Sequence, residues 1–263
     1  MVVISTIIIS ILSSPASAQQ KRSESYDQDI SDLSKAIETN PRYYQAYYNR
    51  GIVYGNKGQY DQAISDYTKA LEINPRLPEA YLNRGVAYGN KGQYDQAISD
   101  YTRAIEIDPR YAEAYYNRGV AYSNKGQYDQ TISDCTKALE INPMFALAYM
   151  NRGGAYGNKG QYDQAISDLT KALKINPRLA EAYFNRGQAY YKKQQYDRAI
   201  SDYSKALEIN PGIALFYFGR GMAYYFKKDY DKSWEDIYKA QGLGYQIPPE
   251  VLDNLRKASG REK

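Results

Sequence analysis

The chain of 263 residues contains no histidine and only one cysteine, one tryptophan and four methionines. Without His there is no Ser-His-Asp triad and no Cys-His dyad, and zinc sites built from His or from several Cys are absent. A single Cys excludes an intramolecular disulfide framework. No Gly-rich phosphate loop is present, because the recurrent Asn-Lys-Gly turns read as helix ends. Neither sign of charge predominates. Lys and Arg number 34 against 30 Asp and Glu, a net charge of +4. The basic residues are spread along the chain rather than gathered in one stripe, which argues against nucleic acid as a partner. The expectation is a chain that is no enzyme, with no cofactor and no metal site. What is abundant is tyrosine, 31 residues against five phenylalanines.

Residues 1–18, MVVISTIIISILSSPASA, carry no charged side chain. The apolar stretch from Val2 to Leu12 is shorter than the ~20 residues that span a bilayer. Behind it, Ala16, Ser17 and Ala18 form the small-x-small pattern of a signal peptidase site. The pattern predicts a signal peptide cut after Ala18, and a mature chain starting at Gln19 that is periplasmic or secreted. After cleavage no stable membrane insertion is expected. No Lys or Arg precedes the apolar stretch; retention as an anchor and a frayed cytosolic helix are the other readings.

Pro41, Pro75, Pro109, Pro143, Pro177 and Pro211 stand 34 residues apart, and the text between them barely changes. Counting positions from the third residue after each proline, position 4 is Tyr47, Tyr81, Tyr115, Tyr149, Tyr183 and Tyr217. Position 8 is always Gly, from Gly51 to Gly221, and position 11 always Tyr, from Tyr54 to Tyr224. Position 20 is small, from Ala63 to Ser233, and position 27 is Ala throughout. Positions 4, 8 and 11 share one helical face. Gly51 opposite Ala63 would let two helices approach closely. Gly58, Gly92, Gly126 and Gly160 suit left-handed caps after the first helix. Asp61 and its counterparts open the second helix, where its dipole favours negative charge, and the proline ends it.

These residues and their period resemble the tetratricopeptide repeat family in its bacterial form, over residues 26–247. The resemblance implies an all-α fold, a right-handed superhelical solenoid of antiparallel helix pairs. The expected organisation is a short linker over 19–25 and a half repeat over 26–43, consisting of a lone second helix. Six repeats follow at 44–77, 78–111, 112–145, 146–179, 180–213 and 214–247, the last with a degenerate end. A capping helix over 248–259 would turn Val251, Leu252 and Leu255 inward.

Arg at position 7 and Asp at position 23 recur in all six repeats, from Arg50 with Asp66 to Arg220 with Asp236. The pairing predicts a structural ion pair, since a buried Arg requires a carboxylate partner; a ligand-binding arginine row is the alternative. Cys135 replaces Tyr at position 24 and reads as an inert buried thiol. Trp234 reads as packing within the last repeat.

In the resembled family the binding surface is the concave face, made by positions 2, 5, 6, 9, 12 and 13. Position 5 here is Tyr48, Leu82, Tyr116, Met150, Phe184 and Phe218. Position 6 is Asn49, Asn83, Asn117, Asn151 and Asn185, then Gly219, and Met222 stands at position 9 of the last repeat. An Asn row can match the backbone of an extended peptide and resembles the asparagine ladder of a protein O-glycosyltransferase; the alternative is that each Asn bonds within its own repeat. Tyr191, Leu215, Tyr225 and Phe226 enlarge the apolar C-terminal end of this face, unless the capping helix covers them. The Lys and Arg pattern of the carboxylate clamp in chaperone-binding relatives is absent. The function expected is an exported scaffold that binds an extended peptide or partner protein in the groove. The alternative is a structural solenoid that self-associates through its ends.

Overall fold

The computed structural model describes residues 15–261. Residues 1–14, most of the expected export signal, lie outside the described residues. Among the described residues the fold is fourteen α-helices with no strand, in two compact units that divide after Asp108. The first unit holds α1 (Pro15–Thr39) and two antiparallel helix pairs, α2 (Tyr44–Asn56) with α3 (Tyr60–Ile73) and α4 (Pro78–Asn90) with α5 (Tyr94–Ile107). The second holds four pairs and a terminal helix. Its pairs are α6 (Ala112–Asn124) with α7 (Tyr128–Ile141), α8 (Ala146–Asn158) with α9 (Tyr162–Ile175), α10 (Ala180–Lys192) with α11 (Tyr196–Ile209), and α12 (Ala214–Phe226) with α13 (Tyr230–Gly242). The terminal helix is α14 (Pro249–Ser259).

One expected boundary differs. The segment 19–25, expected as a linker, is helical and continuous with the half-repeat helix in α1. No Gly or Pro interrupts residues 16–40, and Ala, Gln, Lys, Arg and Glu are strong helix formers. The expected cut between Ala18 and Gln19 falls inside this helix.

Two turns repeat. After each first helix, Gly58, Gly92, Gly126 and Gly160 take φ between 72 and 75°, and the next N–H closes back, as Gln59 N–H does to Tyr54 O at 2.9 Å. This is the left-handed C-terminal cap. At the same place in the last two repeats stand Gln194 and Lys228, with φ of 59° and 63°, so the turn persists where its favoured residue has been lost. After α1, α3, α7, α9 and α11 an Asn-Pro pair sets the other turn, and after α5 Asp108-Pro109 takes its place. Pro disfavours helical backbone in the residue before it, and Asn74, at φ −128° and ψ 93°, is extended. Its side-chain oxygen accepts from Arg76 N–H at 3.2 Å, and Asn40, Asn142 and Asn176 repeat the bond with Arg42, Met144 and Arg178.

In four of the six pairs, those of Gly51, Gly85, Gly153 and Gly187, a Cβ at position 8 has no room, for a reason different from the one expected. A Cβ on Gly51 would stand 2.7 Å from the Tyr67 ring, and one on Gly85 would stand 2.6 Å from Tyr101. The close neighbour is the position-24 side chain, not Ala63. Where position 20 is Thr131 or Ser233, its hydroxyl donates to the carbonyl of the opposite glycine, Gly119 at 3.1 Å and Gly221 at 2.9 Å.

The Arg–Asp pairs are structural. Arg84 Nε and Nη2 donate to the two Asp100 oxygens, each at 2.8 Å. Its third nitrogen reaches back to the preceding pair, donating to Thr68 at 2.9 Å. Arg50 bridges to Ser34, Arg152 to Thr136, Arg186 to Thr170 and Arg220 to Ser204 in the same manner. One guanidinium therefore ties the two helices of its own repeat to each other and to the helix before them. The Tyr at position 4 lies beneath it, with the Arg84 guanidinium carbon 5.5 Å from the Tyr81 ring centre. On the outside, Asp61, Asp129, Asp163 and Asp197 each pair with a Lys of the following repeat, Lys91, Lys159, Lys193 and Lys227. The helix-opening aspartates thus serve between repeats as well as at a helix end.

At the C-terminal end α14 closes the second unit. Leu255 is buried against Trp234 and Ile237, with Val251 and Leu252 half-buried beside them. Trp234 stacks on Tyr238, its ring centre 5.2 Å away, and donates to Ser259 at 3.2 Å; it is packing, not a ligand platform. Helix α13 has 13 residues where α11 has 14, so the second helix of the last repeat ends only one residue early, at Gly242.

Candidate functional site

The inner face of a helix pair follows from the repeat. Positions 2, 5, 6, 9, 12 and 13 lie on the side of the first helix turned away from its partner, because positions 4, 8 and 11 face inward. In the second unit α8, α10 and α12 set these positions around a concave pocket of about 590 Å³. Its apolar lining includes Met150, Phe184, Tyr203, Leu215, Phe218 and Met222, and its polar lining includes Ser123, Asn151, Asn158, Asn185, Gln188 and Lys192.

Six of the twelve expected groove residues therefore meet in this pocket: Met150, Asn151, Phe184, Asn185, Phe218 and Met222. Phe184 is mostly floor. It is 7% exposed, and its ring packs 5.6 Å from Tyr203 and 4.9 Å from Phe216. Tyr116 and Asn117 belong to the same unit but are not in its lining. The Tyr116 ring lies 4.8 Å from Phe145 instead. Tyr48, Asn49, Leu82 and Asn83 belong to the first unit, where Tyr48 packs 5.9 Å from Tyr67.

The Asn row divides. Asn83 donates to the Tyr48 hydroxyl at 3.1 Å, and Asn151 points to Cys135 Sγ at 3.5 Å. Both bonds run to the preceding repeat rather than within their own. Asn49, Asn117 and Asn185 show no hydrogen bond among the described residues. Only part of the row is committed to structure, and Asn185 presents a free amide to the pocket.

Cys135 is buried, and burial pushes its thiol up to about 12. No thiolate forms there near neutrality, so the residue is chemically inert. Burial likewise raises Tyr191, with the neighbouring Tyr196 adding to it; both rings cluster with Phe226 at the pocket's outer edge. The terminal helix leaves this edge open. Phe218 packs against the Trp234, Ile237 and Leu255 cluster and lies 4.8 Å from the Tyr245 ring, whereas Leu215 and Phe226 stay 39% and 47% exposed.

Sequence reasoning did not single out Gly154, Gly157 and Gly219 as pocket residues. Each lines the pocket by the absence of a side chain. The available signal was a departure from the repeat: position 9 is Ile52, Val86 and Val120 before it becomes Gly154. Among the described residues no cluster of acidic residues or Cys could hold a metal ion, and no helix is long and apolar enough to cross a membrane.

Comparison with known proteins agrees with this geometry. A model described as Tetratricopeptide repeat matches residues 44–77, 112–145 and 180–213, and a second of that description matches 66–99. One described as TPR repeat matches 90–126 and 158–194. No curated protein matches the chain. Among solved structures, MamA is 32% identical over 64% of this chain and 92% of its own, with a TM-score of 0.57. YrrB, described as a TPR protein with an unusual peptide-binding site, is 26% identical over 68% of this chain and 92% of its own, at TM-score 0.57. A chain of the APC/C hetero-tetramer Cut9-Hcn1 is 20% identical and shares the fold over 92% of this chain at TM-score 0.74, but this chain spans only 47% of its length. The repeat motif, the all-α helix pairs with their glycine approach, and these matches lead to one conclusion: the chain belongs to the tetratricopeptide repeat family.

Proposed function

We propose that the protein is a non-catalytic scaffold that binds an extended segment of a partner protein in the groove of its second unit. The carrying observation is the pocket among α8, α10 and α12, where apolar side chains stay uncovered beside a free Asn185 amide. Uncovered apolar surface of this kind marks a contact site, and the Asn amide offers a donor and an acceptor to a peptide backbone. The similarity to YrrB, a TPR protein with a peptide-binding site by its description, supports the same reading. Leu215→Asp combined with Met222→Asp is expected to weaken partner capture at least tenfold, read by quantitative cross-linking and mass spectrometry on the intact protein. Capture at the wild-type level by this variant would sink the groove reading. Growth of the wild-type particle with concentration in light scattering, lost on altering the ends but not the pocket, would favour a self-assembling solenoid instead.

Export is part of the proposal. Its support is the uncharged apolar segment before Ala16–Ser17–Ala18. N-terminal sequencing of the protein from its native cells is expected to begin at Gln19; an intact Met1 on protein held inside the cytoplasm would reject it.

A further inference from the structure

We infer that the pocket of the second unit selects an extended segment carrying a bulky apolar side chain with an acidic residue close beside it. The inference rests on the groove reading above and names its ligand chemistry.

Two local departures from the repeat create the depth. At position 9, Gly154 replaces the branched aliphatic side chains of Ile52, Val86 and Val120. A Cβ placed on Gly154 would meet only the Asn185 amide nitrogen, at 3.8 Å, so the space above α8 is open and not filled by a neighbour. At position 6, Gly219 replaces Asn. A Cβ there would stand 3.2 Å from Tyr203 and 3.3 Å from Phe184, so those two rings form an uninterrupted floor. Met150, Leu215 and Met222 supply the walls, and flexible thioethers adapt to ligand side chains of different shape. A cavity with an aromatic floor and adaptable apolar walls gains most from a large apolar side chain.

The charge follows from Lys192. It lines the pocket at position 13, where the first four repeats have Asn56, Asn90, Asn124 and Asn158. The neighbouring lysines at position 14, Lys159, Lys193 and Lys227, are each bound to an Asp of the preceding repeat. Lys192 makes no ion pair among the described residues, and no carboxylate lines the pocket. An ammonium group at the rim of an apolar, low-dielectric cavity favours a carboxylate on the ligand and disfavours Lys or Arg there.

The test is selection of a displayed library of random twelve-residue peptides on the intact protein, followed by affinity measurement on the enriched peptides as free amidated chains. Enriched peptides are expected to place Asp or Glu within about three residues of a Leu, Met, Phe or Trp. Lys192→Glu, which breaks no ion pair among the described residues, is expected to invert the charge preference toward Lys and Arg. Gly154→Val, which fills the opening without touching backbone, is expected to weaken the peptides at least tenfold with the helical circular dichroism unchanged. Peptides that lack charge preference, or that ignore both substitutions while still being lost on Leu215→Asp with Met222→Asp, would overturn this inference and leave the groove reading standing. A library that yields no binder, together with unaltered partner capture by the double variant, would overturn both.

Discussion

Asp100→Ala is expected to destabilise the first unit by about 3–5 kcal/mol, the cost of leaving one member of a buried pair without its partner. Asp100 is 4% exposed and accepts two hydrogen bonds from Arg84. Burial works against the Arg84 charge, and the hydrogen bonds and charge of Asp100 more than offset it, so the guanidinium pKa is raised. Without the carboxylate, that opposition is left with only the Thr68 hydroxyl and the Tyr81 ring to set against it. The loss falls on three helices at once, since the same guanidinium bridges α3, α4 and α5. Urea unfolding followed by circular dichroism measures the total, and amide hydrogen exchange is expected to quicken first in α3–α5, as suits a protein whose repeats are stabilised by their neighbours. The double substitution Arg84→Met, Asp100→Leu is expected to recover most of the loss, because it removes the charge as well as its partner. A cost below about 1 kcal/mol for Asp100→Ala would put the pair in the class of exposed ion pairs and contradict the bracing role.

The second large effect is alkaline unfolding. Burial raises the phenol groups of Tyr67, Tyr101 and Tyr203 above their ordinary value of 10.0, and raises the Cys135 thiol from 9.0 to about 12. The folded state therefore holds these protons more tightly than the unfolded chain does. Their contribution to stability is complete below about pH 9 and is lost as the pH climbs through the folded-state values. Stability is expected to be level from pH 7 to 9 and to fall steeply above it. The phenolates of Tyr67, Tyr101 and Tyr203 should appear in one cooperative step together with loss of helical signal. Their appearance on an intact fold, with the helical signal unchanged, would refute this account. Cys135→Ser is a useful companion, since it removes the thiol and leaves the three phenols in place.

Much of the architecture was legible because each rule acts locally and is repeated. The Asn-Pro turns, the Gly58-type caps and the helix-opening Asp residues depend on backbone conformation within a few residues, so their spacing declared the helix pairs. The Arg50–Asp66 relation was legible for another reason: two oppositely charged residues recurring together in a chain short of dry interior are best explained by one another. The glycine at position 8 was right in effect and wrong in detail. Ala63 is close in the pattern, but the ring that would strike a Cβ belongs to Tyr67, and which of two residues one turn apart faces the glycine depends on how the helices cross. The extent of α1 was misjudged because a processing motif and a helix-forming composition overlap in residues 15–25.

The candidate site was legible as a face but not as a pocket. Position numbers alone placed Met150, Phe184, Phe218 and Met222 on one side. They placed Tyr48 and Tyr116 there equally, and these rings are instead engaged by Tyr67 and Phe145. Periodicity assigns a residue to a helix face, and whether that residue stays available depends on what the next helix puts beside it. The same limit holds for the Asn row, where Asn83 and Asn151 are bound across repeats and Asn185 is free.

Sequence alone determined the family and the helix pairs, because these follow from backbone preferences and a period of 34. The absence of His and the single Cys closed the His- and disulfide-based chemistry before any fold was considered. Tertiary structure alone decided where the groove opens. It opens around α8, α10 and α12 because Gly154 and Gly219 remove side chains there and the Tyr203 and Phe184 rings lie beneath. A missing side chain becomes a cavity only when no neighbour moves in to fill it, and that is settled by packing in three dimensions.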